Sequence, residues 1–324
     1  MQFSSKNRIA YFAALTLLFS YIEMLLPKVL PFLRLGLSNI PVLLAFDLPF
    51  LPFMFLTFIK SFLSAMMQGT LFSPFVFVSL SQSLASAFLM FFLSKLRGRF
   101  LSIYGISIAG SAVSALVQIL TTSLYLGKGT FSLLPYMLFF SLFSGIITAF
   151  LAQFFNISQE PPLLNKSVNY SVKKDKFIFA KILFLLCAFI LIFTLNNIYF
   201  LLCAMFFSFA LQIFSKRKIF ILPHLSMWLF VILTSLIVPE GKILFSLGKW
   251  SLTQGALLCG IKKSIKLSSV MALSQWAATF NFEKNNFFIS KVLSYHKGLL
   301  NKFNSSNGNI INRLKVTLSS KDLS

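Results

Sequence analysis

Six residues in the first half of this 324-residue chain could do chemistry while lying in or beside apolar runs: Glu23, Arg34, Asn39, Asp47, Gln68 and Gln118. A carboxylate, guanidinium or amide held among Phe and Leu needs a partner, and several at one depth form a pocket for a small polar molecule. Covalent chemistry has no comparable support. The seven acidic residues never come within five positions of one another, so no carboxylate cluster is available to hold Mg²⁺ against a diphosphate. Gly127-Lys128-Gly129-Thr130 is too short for a nucleotide-phosphate loop. His224 and His296 lie far apart, and Cys187, Cys203 and Cys259 have neither metal spacing nor a disulfide framework. Nothing points to Ser/His/Asp catalysis. The sequence therefore predicts no catalytic residue, no metal and no cofactor, and a protein that is not an enzyme.

The elements that must position these residues are membrane helices. Hydrophobic residues make up 57% of the chain and charged residues 11%, with a mean hydropathy of +0.84. A backbone inside a bilayer must satisfy its own polar groups, so apolar runs of this length are helical. The fold class expected is all-α, a polytopic integral membrane bundle of about ten spans, six plus four. The first block, 1–155, has spans near 9–26, 38–57, 60–70 (short), 74–93, 101–125 and 132–154. A basic linker, 156–176, leads to a second block at 177–280, with spans near 177–195, 198–214, 219–238 and 253–280. A basic tail, 281–324, follows. Proline at 31, 41, 49, 52 and 74 predicts kinked or broken helices in the early part. Lys6 and Arg8 precede the first run without a small-residue cleavage site before Glu23, which reads as an uncleaved first span.

The formal charge of +22 sits in loops and tail, as membrane orientation and anionic headgroups require, and nucleic acid is not an expected partner. An N-terminus inside makes Lys6, Arg8, Lys60, Lys95, Arg97, Arg99, the cluster from Lys166 to Lys181 and Lys216-Arg217-Lys218 cytoplasmic. Lys28, Arg34, Lys128, Lys242 and Lys249 remain outside. This predicts a multi-pass protein of the inner (cytoplasmic) membrane with both termini cytoplasmic. Glu23 then lies roughly 21 Å along the first span, toward the outer face. Asn39, Gln68 and Gln118 reach the same half. Glu23, Arg34, Asn39, Gln68 and Gln118 are the predicted substrate-binding set, with Lys60 and Lys95 placed on the opposite face. Asn and Gln also serve as interhelical hydrogen-bond glue, contributing on the order of 1 kcal/mol. Asp47 fits a cap at the Pro-rich kink as well as it fits a ligand group. Ala10 and Ala14 form a small-xxx-small pair through which another helix can approach closely.

The stretch Pro31-Phe32-Leu33-Arg34-Leu35-Gly36-Leu37-Ser38-Asn39-Ile40 resembles a signature of the Gx transporter family, also catalogued as heptaprenyl diphosphate synthase component I. Tyr21-Ile22-Glu23, the segment from Ile106 to Ala112, and Gln118 look like further family positions, so the resemblance covers about residues 7–155. Phe32 stands where the family usually has glycine, and Ser114 and Val117 where it often has His and Gly. Six short spans of this kind resemble substrate-binding S-components of energy-coupling-factor transporters. That likeness implies that Ala10 and Ala14 dock a T-component. The stretch from Gly248 to Leu258, followed by Lys262, Lys263 and Lys266, is loosely similar to a T-component, although the Ala-Arg-Gly coupling motifs are absent from 281–324. These likenesses imply an uptake protein with a small-molecule substrate, lipid around it, separate ATPase subunits and a T-component as partners. The alternative is a non-catalytic membrane subunit of a polyprenyl diphosphate synthase. A membrane scaffold without ligand is the third reading.

Overall fold

The computed structural model describes residues 5–25, 36–68, 70–71, 73–98, 101–155, 161–164, 178–215, 219, 221–247, 250–277, 287–318 and 322–323. Among them the architecture is helical, with two small two-stranded pairings.

The first block contains α1 (Ser5–Leu25), a 3-10 turn (Leu37–Asn39), α2 (Ile40–Leu44), α3 (Phe50–Gln68), α4 (Pro74–Ser94), α5 (Ile103–Leu126) and α6 (Leu134–Phe154). Proline explains where these helices start. Pro74 and Pro135 occupy first-turn positions of α4 and α6, where the missing N–H would have no intrahelical partner. Ser102 caps α5, its hydroxyl accepting the Gly105 N–H at 3.3 Å. The crowding of Pro41, Pro49 and Pro52 ends α2 after five residues and opens α3 at Phe50, with the Phe53 N–H donating to the Pro49 carbonyl at 3.0 Å.

This corrects the expected second and third spans. No helix runs over 38–57, and 60–70 is not a short span of its own. In place of the expected second span the chain has α2 with its flanking turns, and α3 is one continuous helix. The Glu23 carboxylate accepts the Gly36 N–H at 3.0 Å, while Asp47 pairs with Arg8. Residues 36–47 thus run back along α1, from near its C-terminal end to its start. Phe50 touches Phe88 and Phe92, and Tyr104 bonds Gln153, so α3, α4, α5 and α6 alternate in direction. Phe155, just after α6, meets Phe19 in the C-terminal half of α1 at 6.1 Å. α1 itself is enclosed: Ala10 and Phe12 to Leu15 have no exposed surface. Gly145 lets α5 and α6 approach closely, since a Cβ there would lie 2.7 Å from the Ile108 Cα.

The second block holds α7 (Ile178–Thr194), α8 (Ile198–Phe214), α9 (Ile221–Leu236) and α10 (Gln254–Ala277), with a hairpin of β2 (Ile243–Leu247) and β3 (Trp250–Thr253) before α10. α10 is its centre. Gln275 accepts from Gln212 of α8 at 2.5 Å, and the Ser268 hydroxyl accepts from Trp228 of α9 at 2.7 Å. The Lys266 ammonium donates to the Phe193 carbonyl at 3.0 Å, and Lys263 reaches the Leu126 carbonyl at the end of α5 at 2.7 Å, joining the two blocks.

The segment expected as a basic tail carries structure. α11 (Phe287–Ser305) packs along α1, and α12 (Ile310–Leu318) follows. β4 (Asp322–Leu323) pairs in parallel with β1 (Leu163–Leu164).

Among the described residues, three helical segments are long and apolar enough to cross a membrane: Pro74–Ser94, Ile103–Leu126 and Lys128–Phe154. Phe50–Met66, Phe179–Thr194, Ile198–Phe214 and His224–Leu236 are apolar but shorter. α10 carries three lysines, Lys262, Lys263 and Lys266, and what stands is an all-α, membrane-like bundle. Exposed Phe139, Phe143 and Phe150 on α6, and Phe200 and Phe207 on α8, give it an apolar outside.

Candidate functional site

A cavity of about 180 Å³ opens between α1, the 36–39 turn, α3, α4, α5 and α6. Its wall is built from helical periodicity. Ser79, Gln82, Ser83 and Ser86 recur at three- and four-residue steps along α4, which places them on one face. Ser111, Ser114 and Gln118 do the same on α5, and Lys60, Ser61 and Ser64 on α3. Met137, Phe140, Phe143 and Ile147 of α6 supply the apolar part.

Of the residues predicted from sequence, Glu23, Asn39 and Gln118 line this cavity. Gly36 adopts φ 72°, a left-handed conformation that glycine takes without strain, and this turns its N–H onto Glu23. A Cβ on Gly36 would lie 3.3 Å from both Asn39 Nδ2 and Ser144 Oγ, so the turn is pressed against α6. Arg34 lies outside the described residues. Gln68 ends α3, and its side chain also lies outside what is described.

Lys60 corrects the reading that set it on the opposite face as a cytoplasmic loop residue. It is the eleventh residue of α3, roughly 15 Å along the helix axis. Its side chain is buried at 6% exposure, lines the cavity and donates to the Asn39 amide oxygen. The error came from the break: once proline ends α2 early, Lys60 moves from a connection to mid-helix. The available signal was the Lys60-Ser61-Ser64 spacing, which matches one helical face. The serines were missed for a related reason. Eleven of them line the cavity, and each is unremarkable alone in an apolar helix. Their hydroxyls are partly satisfied within the wall, as in the 3.1 Å contact of Ser20 with Ser64. Gln82 Oε1 and Ser86 Oγ are buried with no hydrogen-bond partner.

Asp47 is not in this wall. It pairs with Arg8 at the start of α1, a partly exposed ion pair that tethers the α2–α3 turn.

Ala10 and Ala14 are fully buried, and the helix beside them is this chain's own α11. Tyr11 meets Tyr295 edge-on at 5.8 Å, Lys291 donates to the Asn7 amide oxygen at 2.5 Å, and His296 bonds the Ala14 backbone. Burial is the main influence on the His296 imidazole and holds its pKa below the ordinary value, with the Ala14 backbone bond opposing it. Among the described residues no group of three His, Cys, Asp or Glu could hold a metal ion.

The wall of this cavity falls within one family's boundaries. Residues 12–155 match the heptaprenyl diphosphate synthase component I family. The cavity thus lies in the part of the chain that is similar to that family. Residues 173–280 match a second family model, described as a domain of unknown function, DUF8519. No curated protein and no solved structure matches the chain.

Proposed function

We propose that this chain is a non-catalytic, ligand-binding membrane subunit that works with a separate catalytic prenyl diphosphate synthase subunit. The match of residues 12–155 to component I supports this reading, because a family named as one component of a synthase implies a second. The scattered acidic residues fit a division of labour in which the partner supplies the Mg²⁺-binding carboxylates. In this reading Glu23, Asn39 and Gln118, with Arg34 and Gln68 as further proposed members and Lys60 added, form the binding site. The chain crosses the cytoplasmic membrane about ten times with both ends inside.

The cavity favours a second reading, uptake. A polar chamber inside a bundle of apolar helices suits capture of a small molecule, as in an S-component served by separate ATPase subunits and a T-component. One purification separates the two readings. The tagged full chain is isolated from its native membrane, and co-purifying proteins and small molecules are identified by mass spectrometry. A carboxylate-rich prenyl synthase subunit supports the first reading. ATPase subunits without a synthase replace it with the second.

A further inference from the structure

We infer that α4 reads the occupant of the cavity through the Gln82 side-chain oxygen and the Ser86 hydroxyl, and that this occupant is a small polyhydroxylated molecule. This rests on the cavity being a ligand site; it adds two contacts to that site and names the class of molecule they select.

Gln82 and Ser86 lie one turn apart near the middle of α4, a helix apolar enough to cross a membrane, and both line the cavity. Gln82 Oε1 and Ser86 Oγ are buried there with no hydrogen-bond partner among the described residues, and Ser86 is only 4% exposed. A serine inside a helix commonly turns its hydroxyl onto the carbonyl three or four residues back. Ser94 on the same helix does so to Phe91 at 2.7 Å. Ser111 and Ser141 of the cavity wall do so to Ser107 and Leu138, at 2.8 and 2.7 Å. Ser86 makes no such bond, so its hydroxyl stays open to an occupant. The Gln82 oxygen can only accept, so what satisfies it must bring an O–H or N–H. Buried polar atoms without partners are rare in folded proteins, and this pair marks where a bound molecule completes the wall. Lys60 and Glu23 face the same space with opposite charges, so the wall sets no sign for the occupant. It selects by hydrogen-bond pattern instead. Eleven serines can each donate and accept, which matches a molecule that does the same at several positions, as a polyol does. The volume of about 180 Å³ equals roughly six waters at liquid density, room for a chain of about four or five hydroxylated carbons.

The test uses the full chain in lipid nanodiscs, with erythritol and ribitol as probes and 1,2,3-trimethoxypropane as a molecule of similar size that accepts hydrogen bonds but donates none. Binding is read by calorimetry. At least one polyol should bind about tenfold more tightly than trimethoxypropane, because only the polyol can donate to Gln82. Gln82→Met keeps the bulk and removes the acceptor, and should weaken that polyol about fivefold or more. Ser86→Ala should weaken it about twofold or more, while Ser94→Ala, whose hydroxyl is bonded within α4, should leave it unchanged. Without ligand, Gln82→Met should unfold at the same temperature as wild type or higher, since it no longer buries an unpartnered oxygen. A clearly lower midpoint would mean that bound water or the fold itself satisfies Gln82, and overturns the inference. So does equal polyol affinity in wild type and Gln82→Met, or trimethoxypropane binding as tightly as the polyols. If Gln82→Met binds normally while Gln118→Ala loses the polyol, the cavity stands as a ligand site and only the assignment to α4 falls. If neither polyol binds, the inference falls, and the small molecules that co-purify with the chain decide separately whether the cavity remains a ligand site.

Discussion

Asn39 holds the Lys60 ammonium against the cavity wall, so the two side chains act as one unit. Replacing Asn39 by Ala removes a charge-assisted bond, a contribution of about 1.5–3 kcal/mol, and lets the lysine chain move. Asn39→Ala should therefore lower the unfolding midpoint of the purified chain in detergent, measured by thermal denaturation. Asp47→Asn makes the contrasting prediction. The Arg8–Asp47 pair has side chains 25% and 41% exposed, so breaking it should cost only about 0–1 kcal/mol and leave the unfolding midpoint nearly unchanged. A large drop in midpoint for Asp47→Asn would mean that the α2–α3 turn depends on this pair far more than its exposure allows. At this scale the sequence was partly legible. Glu23, Asn39 and Gln118 stand out because a charge or amide in an apolar run is conspicuous. Lys60 did not, since a lysine near a predicted span end reads as a loop residue until the proline break is placed.

Two elements carry predictions of their own. Gly145 brings the α5 and α6 backbones together, and any side chain there meets Ile108. Gly145→Leu should push the helices apart at a cost of about 1–3 kcal/mol, seen as a lower unfolding midpoint in detergent. α11 offers a different handle, because burial depresses the His296 pKa in the docked helix. The undocked form then takes up the proton first. Docking is at full strength above the ordinary value of 6.5 and weakens as pH falls below it. Hydrogen exchange should show α11 amides losing protection in mildly acidic buffer, and His296→Gln should abolish that pH dependence. The small-residue pair Ala10 and Ala14 lies on a buried helix, and nothing in its sequence names α11 as the helix packed along it. α11 has a basic, weakly apolar sequence, and only the assembled fold shows its apolar side turned onto α1.

For the molecule as a whole, the helical, membrane-like character was legible from composition, because 57% hydrophobic residues leave few other folds open. The count of passes was less so. Several helices here, such as Ile198–Phe214, are short, and the apolar run expected as one span over 38–57 is divided between the five residues of α2 and the start of α3, a break that hydropathy alone does not reveal. Orientation is testable directly. In a chain with Cys187, Cys203 and Cys259 replaced, single cysteines at Ser167 and Ser305 should resist an impermeant thiol reagent in intact cells. Rapid labelling at either position reverses the proposed topology.

Lys291 and Asn7, which touch in the folded chain, are 284 positions apart in sequence. At about 5–20 residues per second, the ribosome makes α11 roughly 14–57 s after α1. Throughout that interval the alanine face of α1 is bare in the nascent protein. Any helix already in the bilayer can occupy it first, and a ribosome that stalls before α11 leaves it open for good. Early termination near residue 280 should accordingly yield a chain that the cell's membrane proteases remove, or one captured by another subunit, and a pulse-chase comparison with the intact chain would tell which.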